Sequence, residues 1–318
     1  MGEGLLCIGL TTLDMVARPI DALPSGEGTR LIEGIAVAPA GTAAGAAMIA
    51  ARLGVKTALA GSVGGDFMGR VVRLGLEEQG IDTGLVEVMD GYPTSATVLT
   101  IDSNGRRPNF HALGAGLFAP TGDAAIAAAG KAAFLHYAGI GGPKLDGGAG
   151  LAVVQAAKAG GAVVTCDLIS PQPTALAELE RLLPYVDYFM PSASEAFALS
   201  KTDSLDAAAD FFLGLGAGAV IIKNGGAGSY VALGAERTAL PAYAITPVDT
   251  TSCGDSYCAG FIAGLSRGLA PLDACRFATA VAALVAQGLA TLGKLTSYDG
   301  VLEAMKTMTL KEPADVDG

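Results

Sequence analysis

Two carboxylates, Asp249 and Asp255, flank the small-residue stretch Thr250-Thr251-Ser252-Cys253-Gly254, and the apolar run Ser256 to Leu265 follows at once. A helix that opens at such a turn leaves backbone N–H groups without partners, and its dipole favours an anion. The spacing predicts a phosphate cradle. The N–H groups of Ser252, Cys253 and Gly254 are placed to stabilise charge on a transferred group, and Asp255 at its mouth to take a proton from an attacking hydroxyl. The same residues also fit an Asp-capped helix start with no chemistry, so the rest of the chain has to decide. Cys253 at the helix N-terminus is expected to have a lowered pKa and to react if exposed.

Other phosphate motifs are decoys. Gly288 to Leu295 fits G-x-x-x-x-G-K but lacks the closing Ser or Thr and follows a helix, where a P-loop follows a strand. Gly214 to Ala219 fits G-x-G-x-x-A but precedes the strand at Val220, so it offers no helix N-terminus to a pyrophosphate. The two histidines, His111 and His136, accompany no G-x-S-x-G elbow and read as packing or hydrogen-bonding residues. Asp14 follows the first strand, where a carboxylate in an open α/β sheet faces the ligand crevice; a turn Asp is the alternative.

Short apolar runs alternate with Ala-rich helical stretches. Strands are predicted over 5–10, 57–63, 132–138, 162–168, 188–190 and 219–223, and helices over 42–52, 66–79, 148–159, 205–213, 255–267 and 272–286, with a hairpin-like pair at 228–233 and 237–242. Such alternation means a mostly parallel sheet with helices on both faces. Two segments break the rhythm, at 14–37 and 92–113, and the second alternates about Asn104-Gly105, a strong hairpin signal.

Composition excludes several classes. A net charge of −11 and no basic stripe argue against nucleic-acid binding. Five scattered cysteines without a C-x-x-C suggest neither a disulfide framework nor a zinc site, so a reducing cytoplasm is the simplest setting. The start lacks a basic n-region, and the charge-free run at 277–293 falls short of a membrane span in length and apolarity.

Taken in order, these motifs resemble the ribokinase-like (pfkB-type) carbohydrate kinases, from about Leu5 to about Leu292. Asp249 to Asp255 is similar to the family's C-terminal signature, Asp-Thr-x-Gly-Ala-Gly-Asp, with Ser252 for its first Gly and Cys253 for Ala. Ala40-Gly41-Thr42-Ala43-Ala44-Gly45 with Ala51 to Gly54 resembles the N-terminal signature, with Ala40 for a Gly and Gly45 for a substrate-binding Asn. Gly61 to Gly69, followed by Gly80-Ile81-Asp82, resembles a further family segment.

The resemblance implies a ribokinase-like three-layer α/β/α sandwich with a mostly parallel central sheet, as one kinase domain over 1–318, with a small β-sheet lid from about 13–35 and 92–112. It implies ATP-dependent phosphorylation of a hydroxyl on a sugar or sugar-like molecule, with Asp255 as base, Ser252, Cys253 and Gly254 as anion hole, and Asp14, Gly41 and Gly45 at the acceptor. Gly41 is read as letting the backbone approach a substrate, and the helix after it as offering free N–H groups. If the missing Asn at Gly45 leaves room, the acceptor is larger or unusual.

Lys223, Gly225 and Gly228 resemble the nucleotide-binding turn, with Lys223 in the place of a Thr and able to reach a phosphate. Pro191-Ser192-Ala193-Ser194-Glu195 resembles the Asn-x-x-Glu element, in which the Glu acts on Mg²⁺ through water; it also reads as a capping box. Asp249 and Thr251 match positions that bind a monovalent cation such as K⁺ in some members. The alternatives are a nucleoside kinase and a non-catalytic sugar-binding relative, and the resemblance admits a homodimer through the lid.

Overall fold

The apolar runs become the strands of two sheets in the computed structural model, which describes residues 3–141, 150–172 and 174–312. The larger has nine strands in the order β13 (Glu236–Leu240), β12 (Ser229–Leu233), β11 (Ala219–Lys223), β10 (Tyr188–Phe189), β9 (Val163–Leu168), β8 (Phe134–Ile140), β1 (Leu5–Gly9), β4 (Thr57–Gly64) and β5 (Asp82–Met89). From β11 to β5 all pairs are parallel, while β11–β12 and β12–β13 are antiparallel.

The central strands are apolar on both faces because both faces are covered. β1 sends Leu6 and Ile8 toward one helical layer, made by α3 (Asp123–Ala129), α4 (Gly150–Ala159), α5 (Ala175–Leu182), α6 (Ala193–Ser200) and α7 (Leu205–Gly214). Leu5 and Cys7 go to the other, made by α1 (Thr42–Arg52), α2 (Phe67–Glu78), α8 (Cys253–Ser266), α9 (Pro271–Val285) and α10 (Tyr298–Thr307). Ala and Gly dominate where α1, α8 and α9 meet, and at Gly260 a Cβ would come within 3.0 Å of the α9 backbone at Ala278. These small residues let the helices approach closely beneath the site.

The second sheet has four strands in the order β3 (Gly34–Ala40), β2 (Thr12–Arg18), β6 (Ala96–Thr100) and β7 (Asn109–Ala112). Register gives it two unlike faces. Asp14 pairs with Thr97 and Thr97 with His111, forming a polar row on one face; Val16, Leu99 and Ile101 continue that face and pack on Leu289 and Ala290 after α9. On the other face Met15 pairs with Val37 and Val98, and Val98 with Phe110; of these, Val37, Val98 and Phe110 are exposed. The connection from β6 to β7 is closed by Asp102, whose Oδ1 accepts from the N–H groups of Asn104 at 2.9 Å and Arg106 at 2.8 Å.

Several elements depart from the sequence reading. Asp14 lies inside β2 rather than in a turn past β1, because the chain passes from one sheet to the other in two residues. The small sheet takes in β3 up to Ala40, beyond the expected limit near 35. The strand β5 and the helices α3, α5 and α10 had no sequence expectation; α3 and α5 have only 7 and 8 residues, too short for a clear helical period. The expected start of α4 at Gly148 lies outside the described residues.

Candidate active site

Helix α8 begins at Cys253, after Ser252 turns the chain in the left-handed region with φ 57 and ψ 10. Of the first N–H groups of α8, Cys253 donates to the Thr250 carbonyl at 3.4 Å and Ser256 to the Ser252 carbonyl at 2.8 Å. Those of Gly254 and Asp255 have no acceptor among the described residues. Of the expected trio Ser252–Gly254, the Cys253 N–H is thus taken, while the Asp255 N–H adds an open donor one residue further along. Asp255, in this first turn, is half-buried, and its carboxyl is pushed up to about 7. Burial is the main cause and the charge of Asp167 the next, with Lys223 opposing both.

Around Asp255 opens a cavity of about 710 Å³ whose walls include Glu195, Lys223, Gly225, Gly228, Cys253 and Gly254. Gly225 has φ 52 and faces open space, whereas a Cβ on Gly228, at φ 103, would run into the Leu240 carbonyl. This turn is therefore obligatory glycine at 228 and a bare rim at 225. Glu195 closes a capping box: its Oε2 accepts from the Ser192 N–H and the Ser192 hydroxyl, both at 2.7 Å. Burial raises its pKa, as does the charge of Asp167. Arg107, from the loop before β7, also reaches this cavity.

The sequence reading missed Asp167, the partner of Lys223. Lys223 Nζ donates to Asp167 Oδ2 at 2.5 Å, with both side chains almost wholly enclosed. A signal was present: Asp167 closes the apolar run Val163-Val164-Thr165-Cys166, at the same strand edge that made Asp14 a candidate.

Three expectations change. Cys253 is not activated: its thiol is pushed up to about 12, by burial first and then by the charge of Asp249. The helix dipole is outweighed because the thiolate would stand between two carboxylates in an apolar pocket. The N–H groups of Ala43 and Ala44 in the first turn of α1 are not free, since both donate toward the Leu10 carbonyl, at 3.3 and 3.4 Å. Gly41 is explained by its φ of 98 and by the Leu10 carbonyl, 2.5 Å from where its Cβ would be. The space at Gly45 is already occupied, with Asp255 Oδ2 at 3.1 Å and Ser252 Oγ at 3.5 Å from a Cβ there.

Asp14, Gly41, Gly45, Ser252, Asp249 and Thr251 stand outside the walls of the cavity. Asp14 is buried on the inner face of the small sheet, where Thr12 Oγ1 donates to it at 3.4 Å. Its carboxyl is pushed up to about 6, chiefly by burial. His111 joins the same row through a 3.0 Å contact between its Nδ1 and Thr97 Oγ1, a placement that only strand register reveals. Asp249 is buried and accepts from Thr251 N–H at 2.7 Å and Ala290 N–H at 2.9 Å. It therefore braces the loop that precedes α8 against the end of α9. The Thr251 hydroxyl is buried and has no partner among the described residues.

The chain matches the pfkB family of carbohydrate kinases over residues 3–295. It is similar to a nucleoside kinase of Methanothermobacter thermautotrophicus, 29% identical over 308 residues that cover 96% of this chain and 95% of the relative. It is also similar to a fructokinase of Klebsiella pneumoniae, 30% identical over 257 residues, which are 78% of this chain and 81% of that one. A solved ribokinase of Arabidopsis thaliana, complexed with ribose and ATP, shares the fold at a TM-score of 0.78 and 23% identity, over 96% of this chain and 99% of that one.

Proposed function

The chain belongs to the pfkB family of carbohydrate kinases, a phosphotransferase family with sugar and nucleoside kinases among its relatives, and on that premise we propose that it moves the γ-phosphoryl of ATP onto a sugar-type hydroxyl. The observation that carries this reading is Asp255, a carboxylate with a pKa raised to about 7, at a cavity wall beside open N–H donors and a buried ammonium. Asp255 takes the proton of the attacking hydroxyl, the N–H groups at the start of α8 hold the transferring group, and the Gly225–Gly228 turn holds the nucleotide. Asp14, with Thr97 and His111, offers the acceptor a row of hydrogen-bonding groups.

Among the described residues no three carboxylate, imidazole or thiol groups converge on one point, so Mg²⁺ fits here as an ion carried by the nucleotide phosphates. Glu195 would hold it through water, and the ion would offset phosphate charge. The buried Thr251 hydroxyl beside Asp249, without a partner among the described residues, supports a monovalent cation such as K⁺.

The small sheet acts as a lid on one kinase unit. Its exposed outer row of Val37, Val98 and Phe110 supports a homodimer through the lid, which Val98→Lys should break to a monomer in light scattering. All five cysteines are free thiols, and among the described residues no helix is long and apolar enough to cross a membrane, which is in keeping with a cytoplasmic setting.

The experiment is ADP release across pentoses, hexoses, sugar acids and nucleosides, with Asp255→Asn as control. Release that depends on one acceptor and is lost in the control supports the reading. Acceptor binding without ADP release would make the chain a sugar-binding relative.

A further inference from the structure

Lys223 closes β11 and Asp167 stands next to the end of β9, with only the short β10 between them, so both lie at the C-terminal edge of the parallel strands. Both belong to the face covered by α8, where Cys258 lies beneath them, its Sγ 3.4 Å from Asp167 Oδ2 and 3.5 Å from Lys223 Nζ. The carboxylate is fully committed: Oδ1 accepts from the Leu168 N–H at 2.8 Å and Oδ2 takes the ammonium. The ammonium is not. It has three donors; Asp167 takes one and the Cys258 sulfur weakly a second, and the third has no acceptor among the described residues.

The open side of this cation is the anion cradle. Nζ stands 3.5 Å from where a Cβ on Gly254 would be, an ordinary contact distance, so the absence of a side chain there leaves the ammonium uncovered beside the helix start. Burial alone would lower the pKa of Lys223, but Asp167, Cys258 and Glu195 outweigh it and raise it, so the group is a permanent cation and no base. Stability does not explain the pair, since apolar residues of like volume usually serve a core as well as a buried ion pair. A fixed cation facing a phosphate site does explain it, because charge oriented in advance needs no reorganisation during reaction.

We propose that Asp167 is a positioning residue of this kinase, which through its ion pair holds the Lys223 ammonium under Gly254 as a fixed contact for the phosphoryl group in transfer. This rests on the phosphotransfer reading. It adds a role for Asp167 and makes Lys223 a contact of the reacting group, not of the nucleotide turn alone. The pair also acts on Asp255, which is faced by Asp167 from β9, Lys223 from β11, Glu195 from α6 and Asp14 from β2, with Cys253 and Cys258 on its own helix. Asp167 opposes its ionisation and Lys223 favours it.

The test compares wild type with Asp167→Asn, Lys223→Met, Lys223→Arg and the double variant Asp167→Asn/Lys223→Met. ADP release by wild type with any acceptor of the panel decides the phosphotransfer reading by itself. Calorimetry with Mg·ADP and the non-hydrolysable Mg·AMP-PNP decides the present proposal whether or not an acceptor is found.

Lys223→Met should lower kcat by about 10²–10³-fold with a smaller change in the KM for ATP, and weaken AMP-PNP more than ADP. Asp167→Asn should lower kcat about 10-fold through a misplaced cation. The double variant should lose no more than Lys223→Met, and Lys223→Arg should recover part of the loss. The acid limb of the kcat/KM profile should move to higher pH in Lys223→Met and to lower pH in Asp167→Asn, opposite shifts that a merely structural pair would not give. Equal weakening of AMP-PNP and ADP by Lys223→Met, or kcat and acid limb unmoved in both single variants, overturns the proposal.

Discussion

The edge of the core sheet and the inner face of the small sheet both bear on Asp255, yet they are made in opposite ways. At the core edge the working groups come from contiguous turns: the start of α8, the Gly225–Gly228 turn and the Ser192–Glu195 capping box. Much of what they offer is backbone N–H, fixed by helices that pack on one another through Ala and Gly. The small sheet offers side chains instead, one from each of three strands, in the row Asp14–Thr97–His111. The N–H cradle at the start of α8 is therefore tolerant of side-chain identity at Ser252 and Cys253 and intolerant of backbone change, whereas Asp255, Lys223 and the row on the small sheet act through their side chains.

The largest expected effect falls where the two regions meet. Asp255→Asn should lower kcat by about 10²–10⁴-fold, since an amide cannot accept the proton, while melting temperature and nucleotide affinity stay close to wild type. The wild-type kcat/KM should rise with pH through an apparent pKa near 7, because burial holds the carboxyl protonated below that point and only the ionised form is a base. The variant should lack this limb. Turnover kept in Asp255→Asn would remove the base from the core edge altogether.

Gly45→Asn sharpens the comparison next. A Cβ at this position stands 3.1 Å from Asp255 Oδ2, so a side chain there must push the carboxylate aside. Turnover should fall by about 10–100-fold through this misplacement, with the acceptor KM changed less. A switch of acceptor preference at undiminished turnover would show instead that position 45 belongs to the acceptor's side.

The same contrast decides what could be read in the sequence. Contiguous turns leave short patterns, so the helix start at Asp255, the glycine turn and the capping box at Ser192 were legible, as was the alternation that gives a parallel sheet. Asp167 was not, because its partner Lys223 is brought to it only by strand order. The reading of His111 as a packing or hydrogen-bonding residue holds in its bond to Thr97, but the partner could not be named because the register that sets the two opposite does not appear in a local pattern. The reactivity expected of Cys253 failed for another reason: the dipole is visible in sequence, but the burial that outweighs it is not. Gly45 shows the same limit, since an absent side chain does not say what fills its place.

On the lid, Asp14→Ala should raise the acceptor KM about 10-fold or more, as expected for lost hydrogen bonds from a charged group, which are worth roughly 1.5–3 kcal/mol, with the KM for ATP nearly unchanged. Acceptor binding by wild type should also weaken as pH falls through about 6, where the raised pKa of Asp14 takes up a proton and the carboxylate loses acceptor strength. Equal losses for acceptor and ATP in Asp14→Ala would show that the lid and the core edge do not divide their ligands.

The smallest effect tests the core edge from within. Ser252 holds φ 57, a left-handed conformation that costs a side-chain-bearing residue roughly 1–2 kcal/mol, of which a glycine would return part, since it also loses more chain entropy on folding. Ser252→Gly should therefore raise stability by about 1 kcal/mol or less, read as a small upward shift in denaturant midpoint. The open N–H groups of Gly254 and Asp255 remain where they are, so kcat should stay near wild type. A large loss of kcat with stability gained would mean that the Ser252 hydroxyl, which lies 3.5 Å from a Cβ position on Gly45, takes part in the site as a side chain. The core edge would then work as the lid does, and the distinction between a backbone cradle and a side-chain row would fall at its clearest point.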